Sequence, residues 1–478
     1  MRNILLHTDS YKHSHHLQLP PETQYVSSYI EARAAAGEAH RIVQFVGLQP
    51  FLRDYLARPI TRADIEEAEE LIVPHGLIFN REGWDYILNE HDGWLPVEIT
   101  ALPEGVVVPR GTPLVQLRNT DPNVPWLTSF LETAMLRSIW YPSTVATAGF
   151  VTKAIIYNAL KRSSDDPEGQ ITFKLHDFGA RGVSSSESAA LGGMAHLINF
   201  EGTDTLEGIV AARNYYNADF MPGYSIPASE HSTMTAWGRE GEATAYRNML
   251  EQFDGGMFSI VSDSYDLMHA VKNIYCGTLK DQISDLNGTL VVRPDSGDPV
   301  ATPLKVVQAL WETFGGTVNS KGYRVLNDKV RVIQGDGMDQ YKIAALLSSM
   351  LGAGFSIDNI TFGMGGGLLQ AHTRDDLRFA MKANAISDGK EWRDIFKDPA
   401  ADPAKRSKAG RQAVIREDGA WKSVRAEEVP NEANHLRTVY RNGRIFDRQS
   451  FTSVRAKASE SLREFHDRMF KQEETQAA

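Results

Sequence analysis

A single cysteine in 478 residues, Cys276, excludes an intramolecular disulfide and any zinc or iron–sulfur site built on several thiolates. Long apolar runs are also missing. No stretch approaches the ~20 apolar residues that cross a bilayer, and the N-terminus turns polar after Ile4, Leu5 and Leu6, so neither a span nor a targeting segment is read. Positive charge is in deficit. A net charge of −11 argues against nucleic acid as a partner, although a local basic patch can still hold one phosphorylated ligand. There is no low-complexity tract and no repeat of fixed period beyond alternating β and α segments. These absences leave a small-molecule protein of the reducing cytoplasm, with no membrane partner.

The composition itself, 42% apolar and 23% charged, is that of a globular chain long enough for more than one domain. Seven short apolar runs each end in a polar cluster: FKLHDFGAR (173–181), HLINFEGTDT (196–205), YSIPASEHS (224–232), FSIVSDSYD (258–266), LVVRPDSG (290–297), VRVIQGDG (330–337) and ITFGMGGG (360–367). Each reads as a buried strand feeding a polar loop, with helix-compatible stretches such as 185–198 and 301–314 between them. That alternation predicts a parallel sheet. Closed into an irregular (β/α) barrel of ~250 residues, it brings all the strand ends to one mouth, which predicts an enzyme. The α/β barrel is placed at 146–385. Residues 1–145 and 386–478 are expected to form a second, β-rich α+β domain. Within it, 50–56 and 61–72 have helical spacing, and 97–121 alternates around the turns Pro103-Glu104-Gly105 and Pro109-Arg110-Gly111. Asn442-Gly443 predicts a two-residue hairpin that rejoins this sheet, ahead of a charged C-terminal helix. Residues 396–411 form a basic loop.

Several strand ends carry residues capable of chemistry. GMGGGLLQ (363–370) sets glycines between a strand and a helix start, where backbone N–H groups can cradle phosphate or simply make a tight packed turn. RPDSGDP (293–299) and QGDG (334–337) bring an Arg and carboxylates to neighbouring strand ends. These can bind ribose hydroxyls, hold Mg²⁺ or stabilise an oxocarbenium-like transition state, or they can only tie loops together. FGARG (178–182) offers a ring and a guanidinium for a flat heterocycle, or a core Phe beside a surface Arg. His231 is a base, a phosphate-accepting nucleophile or a structural histidine. His13, His15 and His16 lack the i, i+4 spacing of a zinc helix.

Taken together, HTDSYKHSH, VGLQPFL, PEGVVVPRG, YPSTVAT, KLHDFGARGVSS, FEGTDT, PGYSIPASEHST, SDSYD, RPDSG, IQGDG, FGMGGGLLQ, TRDD and FKDPAADPAKRSKAGR closely resemble the nicotinate/nicotinamide phosphoribosyltransferase family, over residues 7–411. The resemblance implies a type II phosphoribosyltransferase and a homodimer with shared active sites. The implied reaction joins nicotinamide and phosphoribosyl pyrophosphate, with Mg²⁺, into nicotinamide mononucleotide and pyrophosphate. By resemblance, Phe178 stacks on the pyridine, and Asp9 and Tyr11 belong to the TDSYK motif, with Tyr11 of the partner subunit covering the opposite face. Arg181 and Arg293 match cations near the base and the ribose phosphate, and Asp204 matches the acceptor for the amide. Asp295, Gly335 and Asp336 match ribose contacts, and Gly365 and Gly366 the 5′-phosphate cradle. Arg33, Arg374, Lys382, Lys397 and Lys405 match basic positions that line the pyrophosphate or nucleotide-phosphate site, partly across the dimer, and His231 matches the histidine phosphorylated by ATP. Asp263 is expected to orient His231, and no metal ligand is assigned. An amide donates to a carboxylate at 204 where nicotinate is repelled. The alternatives are a nicotinate-specific enzyme of the same fold and a non-catalytic binding protein on this scaffold. Ala180 departs from the bulky aromatic of the animal pattern and is expected to alter the entrance.

Overall fold

The computed structural model describes residues 3–33, 42–401 and 405–476. Contacts divide the chain into two compact units. The first takes the described residues of Met1–Thr147, Arg213–Ala218 and His372–Ser461, and the second those of Ala148–Ala212, Asp219–Ala371 and Leu462–Ala478.

In the second unit six parallel strands pair in the order Gly202–Thr203, Leu175–Asp177, Ile360–Met364, Val330–Gln334, Thr289–Arg293 and Met257–Val261. Their inner residues, among them Leu290, Val292, Val332 and Phe362, are fully buried. Each is worth roughly 1.5–3 kcal/mol of transfer free energy. In the second apolar run, expected as a strand, Leu197, Ile198 and Asn199 turn out of helix Ser186–His196, and the strand is only Gly202–Thr203. The third run also departs from expectation. Residues 224–228 make only single parallel bridges, Tyr224 to Gly202 at one edge and Ala228 to Ser259 at the other. Pro227 has no N–H to give to a ladder, although its carbonyl accepts from Ser259 N at 2.9 Å. This segment therefore spans both edges of the curled sheet without becoming a regular strand, as expected of an irregular barrel. Helices Ser186–His196, Ala301–Phe314 and Gln340–Gly352 connect strands. The first and third start on side-chain caps, Ser185 to Ser188 N and Asp339 to the N–H groups of Tyr341 and Lys342.

The first unit holds a seven-stranded antiparallel sheet, in the order Trp392–Asp394, Phe379–Ser387, Tyr25–Ala32, Pro113–Asn119, Val97–Ala101, Arg437–Arg441 and Arg444–Ile445. Asn442 and Gly443, at φ 47° and 84°, make the hairpin turn, and Arg437–Arg441 then pairs with Val97–Ala101. Helix Arg62–Ile72 begins in a capping box between Thr61 and Asp64. Behind the sheet, Trp84 meets Trp126 and Phe130 edge to face. These units divide at 147/148 and 371/372, whereas the sequence division lies at 145/146 and 385/386. The difference arises because Phe379–Ser387 pairs with Tyr25–Ala32 in the antiparallel sheet. No helix among the described residues is long and apolar enough to cross a membrane.

Candidate active site

The strand ends of the second unit surround a cavity of about 780 Å³ lined by Phe178, Arg181, Asp204, His231, Arg293, Asp295, Gly335, Asp336, Gly365 and Gly366. Ten residues proposed for the site from sequence thus come together, and Ala180 stands in the same wall. Phe178 follows strand Leu175–Asp177, and its amide donates to Met364 O at 2.9 Å. Its ring lies on bare backbone. A Cβ on Gly363 would meet Phe178 Cε2 at 2.1 Å, and one on Gly335 would meet it at 3.1 Å. Glycine at 363 is therefore required by the ring, and a side chain at 335 would crowd it. The FGARG loop and the glycine loop meet at ordinary contact distance, since a Cβ on Gly182 would lie 3.4 Å from Gly366, while the Cβ side of Gly366 is open.

Two carboxylates flank His231. Its Nε2 is 2.8 Å from Asp263 Oδ1, and its Nδ1 is 3.9 Å from Asp295 Oδ2. Asp263 stands behind the histidine rather than in the cavity wall. Asp295 sits at φ 61°, a left-handed conformation unusual for a non-glycine residue. The strained turn places its carboxylate between His231 and Arg293, whose Nε is 3.4 Å from Asp295 Oδ1 in an ion pair that lacks hydrogen-bond geometry.

Sequence reasoning passed over the groups beneath and beside these. Asp177 is fully buried under the Phe178 loop, accepts from Gly179 N at 2.7 Å, and is pushed up to about 6 by burial. Ser225 Oγ donates to Asp204 Oδ1 at 2.5 Å. Its position in YSIPASEHS was visible, but the irregular segment around Pro227 gives no strand phase from which to aim a side chain. A second cavity of about 540 Å³ shares Phe178, Asp204, Ala228 and Arg293 with the first and extends to Lys174, Arg331 and Asp358. Lys174 Nζ donates to Ile357 O at 2.9 Å and Ile360 O at 3.0 Å, and burial lowers it to about 7.

The remaining sequence candidates, Asp9, Tyr11, Arg33, Arg374, Lys382, Lys397 and Lys405, belong to the first unit. Tyr11 is 57% exposed, and Asp9 Oδ2 accepts from Thr133 Oγ1 at 2.7 Å. Arg374 pairs with Asp375 at 3.3 Å at the surface, and Lys405 is exposed. Three of the cations gather. Lys382 is lowered first by burial and then by Arg33, Lys397 and Lys12, with Glu132 opposing. Arg33 keeps Nε and Nη2 buried without a hydrogen-bond partner, its Nε being 3.8 Å from Glu31 Oε1. Buried guanidinium N–H groups left unpaired are costly, and an anion would satisfy them.

A parallel-barrel mouth with a ring laid on glycine, a carboxylate beside it and a glycine loop opposite defines a phosphoribosyltransferase type of site. The chain belongs to the nicotinate phosphoribosyltransferase (NAPRTase) family, whose model matches residues 173–444, and the nicotinamide phosphoribosyltransferase N-terminal domain matches residues 3–99. It is 48% identical over 464 residues to the nicotinamide phosphoribosyltransferase of Xanthomonas campestris pv. campestris (strain 8004), covering 95% of this chain and 98% of that one. The nicotinamide phosphoribosyltransferase of Acinetobacter baylyi (strain ATCC 33305 / BD413 / ADP1) is 32% identical over 499 residues, covering 97% and 99%. The fold is shared with the crystal structure of nicotinate-nucleotide pyrophosphorylase from Pyrococcus furiosus, at TM-score 0.62 and 19% identity over 97% of this chain and 96% of that one.

Proposed function

We propose that this protein transfers the phosphoribosyl group of phosphoribosyl pyrophosphate to nicotinamide, giving nicotinamide mononucleotide and pyrophosphate for NAD salvage. The observation that carries this reading is the convergence of Phe178, Asp204, Asp295, Asp336 and the Gly365-Gly366 loop on one cavity. The names of the two relatives support it. The pyridine nitrogen attacks C1′ with its own lone pair, so no general base is required. The C1′–O bond breaks, and its electron pair leaves with pyrophosphate. Phe178 aligns the ring, and Asp204 accepts from the amide and repels the carboxylate of nicotinate. Asp295 and Asp336 face the ribosyl group as positive charge develops, and the glycine loop takes the 5′-phosphate. Arg33, Lys382 and Lys397, with Arg374 and Lys405, are assigned to the leaving pyrophosphate.

The donor set fits Mg²⁺. That ion favours one or two carboxylates together with substrate phosphates, and Asp295 and Asp336 supply such oxygens at the mouth. Its chemistry when bound is to neutralise charge on the leaving group. ATP is assigned to His231. With Nε2 hydrogen-bonded to Asp263, Nδ1 is the nitrogen left to take a phosphoryl group. We further assign a cytoplasmic homodimer in which Tyr11 of the partner subunit covers the open face of the base. Mixing inactive F178A and Y11A proteins should restore about a quarter of the activity through wild-type sites in mixed dimers; no recovery would refute shared sites.

The deciding experiment is product detection by mass spectrometry with nicotinamide and nicotinate in competition, with and without ATP and Mg²⁺. Nicotinamide mononucleotide as the main product supports the proposal. A predominance of the nicotinate product overturns the role of Asp204, and release of neither product revives a binding scaffold.

A further inference from the structure

Asp204 alone does not explain how its carboxylate is aimed. The backbone brings a second residue to it. Strand Gly202–Thr203 pairs with Leu175–Asp177, and Asp204 N donates to Asp177 O at 2.9 Å, which fixes the main chain at this point. On the other side Thr203 N donates to Tyr224 O at 2.9 Å, and Tyr224 N donates to Glu201 O at 2.7 Å. The two chains approach so closely that a Cβ on Gly223 would lie 2.8 Å from side-chain atoms of Leu197 and Thr203. Ser225, the next residue after Tyr224, is thereby delivered to Asp204, where its Oγ donates to Oδ1 at 2.5 Å. Its other acceptor, Ile226 O, is more distant at 3.4 Å.

We infer that Ser225 is a positioning residue for base selection: its hydroxyl engages one oxygen of Asp204 and leaves the other directed at the carboxamide of the substrate. The inference rests on the proposed reaction and deepens it. A hydroxyl donating to a carboxylate oxygen fixes the rotation of the carboxylate. An oriented Asp204 carboxylate accepts from an amide N–H and repels a carboxylate held at the same place. One free to rotate discriminates less, because its charge is no longer aimed at the substituent that distinguishes the two bases. Ser225 therefore contributes to the ratio of the two bases rather than to bond breaking. The contact it supports is present equally in ground and transition states, so its loss should appear in KM more than in kcat.

The test compares S225A, S225T, D204A and the double variant S225A/D204A by steady-state kinetics with nicotinamide and with nicotinate. S225A should raise KM for nicotinamide about tenfold with a much smaller change in kcat, and lower the nicotinamide-to-nicotinate ratio of kcat/KM by about tenfold. S225T, which keeps the hydroxyl, should restore the ratio and the KM, and S225A should add nothing to D204A. An unchanged ratio in an S225A protein that turns over normally would overturn this inference alone, as would full additivity with D204A. Wild-type protein that turns over no nicotinamide would overturn the reaction and this inference with it.

Discussion

The two units solve the placement of polar groups in opposite ways. In the parallel unit the strands all end on one side, so Phe178, Asp204, Arg293, Asp295 and Asp336 reach one cavity from widely separated parts of the chain. The antiparallel unit has no such common end. Its candidates Arg33, Lys382 and Lys397 gather as like charges, with burial lowering Lys382 most and Glu132, paired to Lys12 at 2.6 Å, opposing the other cations. One unit builds shape, with bare backbone under a ring and carboxylates at a rim. The other stores positive charge at a cost in desolvation and repulsion, which a polyphosphate would relieve.

The comparison breaks most visibly if shape proves unimportant in the barrel. G363A puts a methyl group 2.1 Å from the Phe178 ring and must displace it, so G363A and F178A should each lower kcat/KM about 100-fold through the base, consistent with ~1–3 kcal/mol per stacked ring. Circular dichroism separates loss of the site from loss of the fold. A G363A enzyme that retains wild-type nicotinamide kinetics would show that the ring is not the platform. In the charged unit, K382M should raise KM for phosphoribosyl pyrophosphate about 30-fold while leaving KM for nicotinamide nearly unmoved, as expected for loss of one charge-assisted phosphate contact. Equal effects on both substrates would dissolve the division of labour. Inside the barrel, D263N removes the carboxylate 2.8 Å from His231 and should reduce ATP-stimulated turnover about fivefold more than turnover without ATP. An equal loss in both would make Asp263 a general structural support.

The same difference explains what could be read in advance. Five parallel strands fall within short runs that lead into polar ends, so these and the Asn442-Gly443 hairpin were legible from periodicity and turn chemistry. Gly202–Thr203 was not, because its apolar neighbours Leu197 and Ile198 belong to a helix end and turn. Residues 224–228 were readable as an apolar segment but not as a single-bridge closure, because Pro227 alters the ladder without altering the apolar pattern. The boundary near residue 371 was hidden for a related reason. Phe379–Ser387 looks like any buried strand, and only its partner, Tyr25–Ala32, reveals which sheet it joins. Motif resemblance named ten residues that line one cavity. It did not reveal Asp177 or Ser225, whose roles depend on a buried oxygen and a hydroxyl direction that only the folded chain specifies.

The smallest effect tests whether the antiparallel unit is held by charge as well as carrying it. Arg58 Nη1 lies 2.6 Å from Asp64 Oδ2 and Nη2 2.7 Å from Oδ1, and this pairing, with help from Thr61, lowers Asp64 to about 2. A carboxyl depressed in the fold stabilises it above the unfolded value, near 4, and the contribution disappears as pH falls toward 2. Because the pair is partly solvated, it is worth about 1 kcal/mol at neutral pH. R58Q should therefore lower the urea midpoint slightly at pH 7, and the difference from wild type should close between pH 4 and 2. A gap that persists undiminished at the lowest pH would mean that Arg58 acts through packing of its stem, and that charge in this unit serves ligand binding alone.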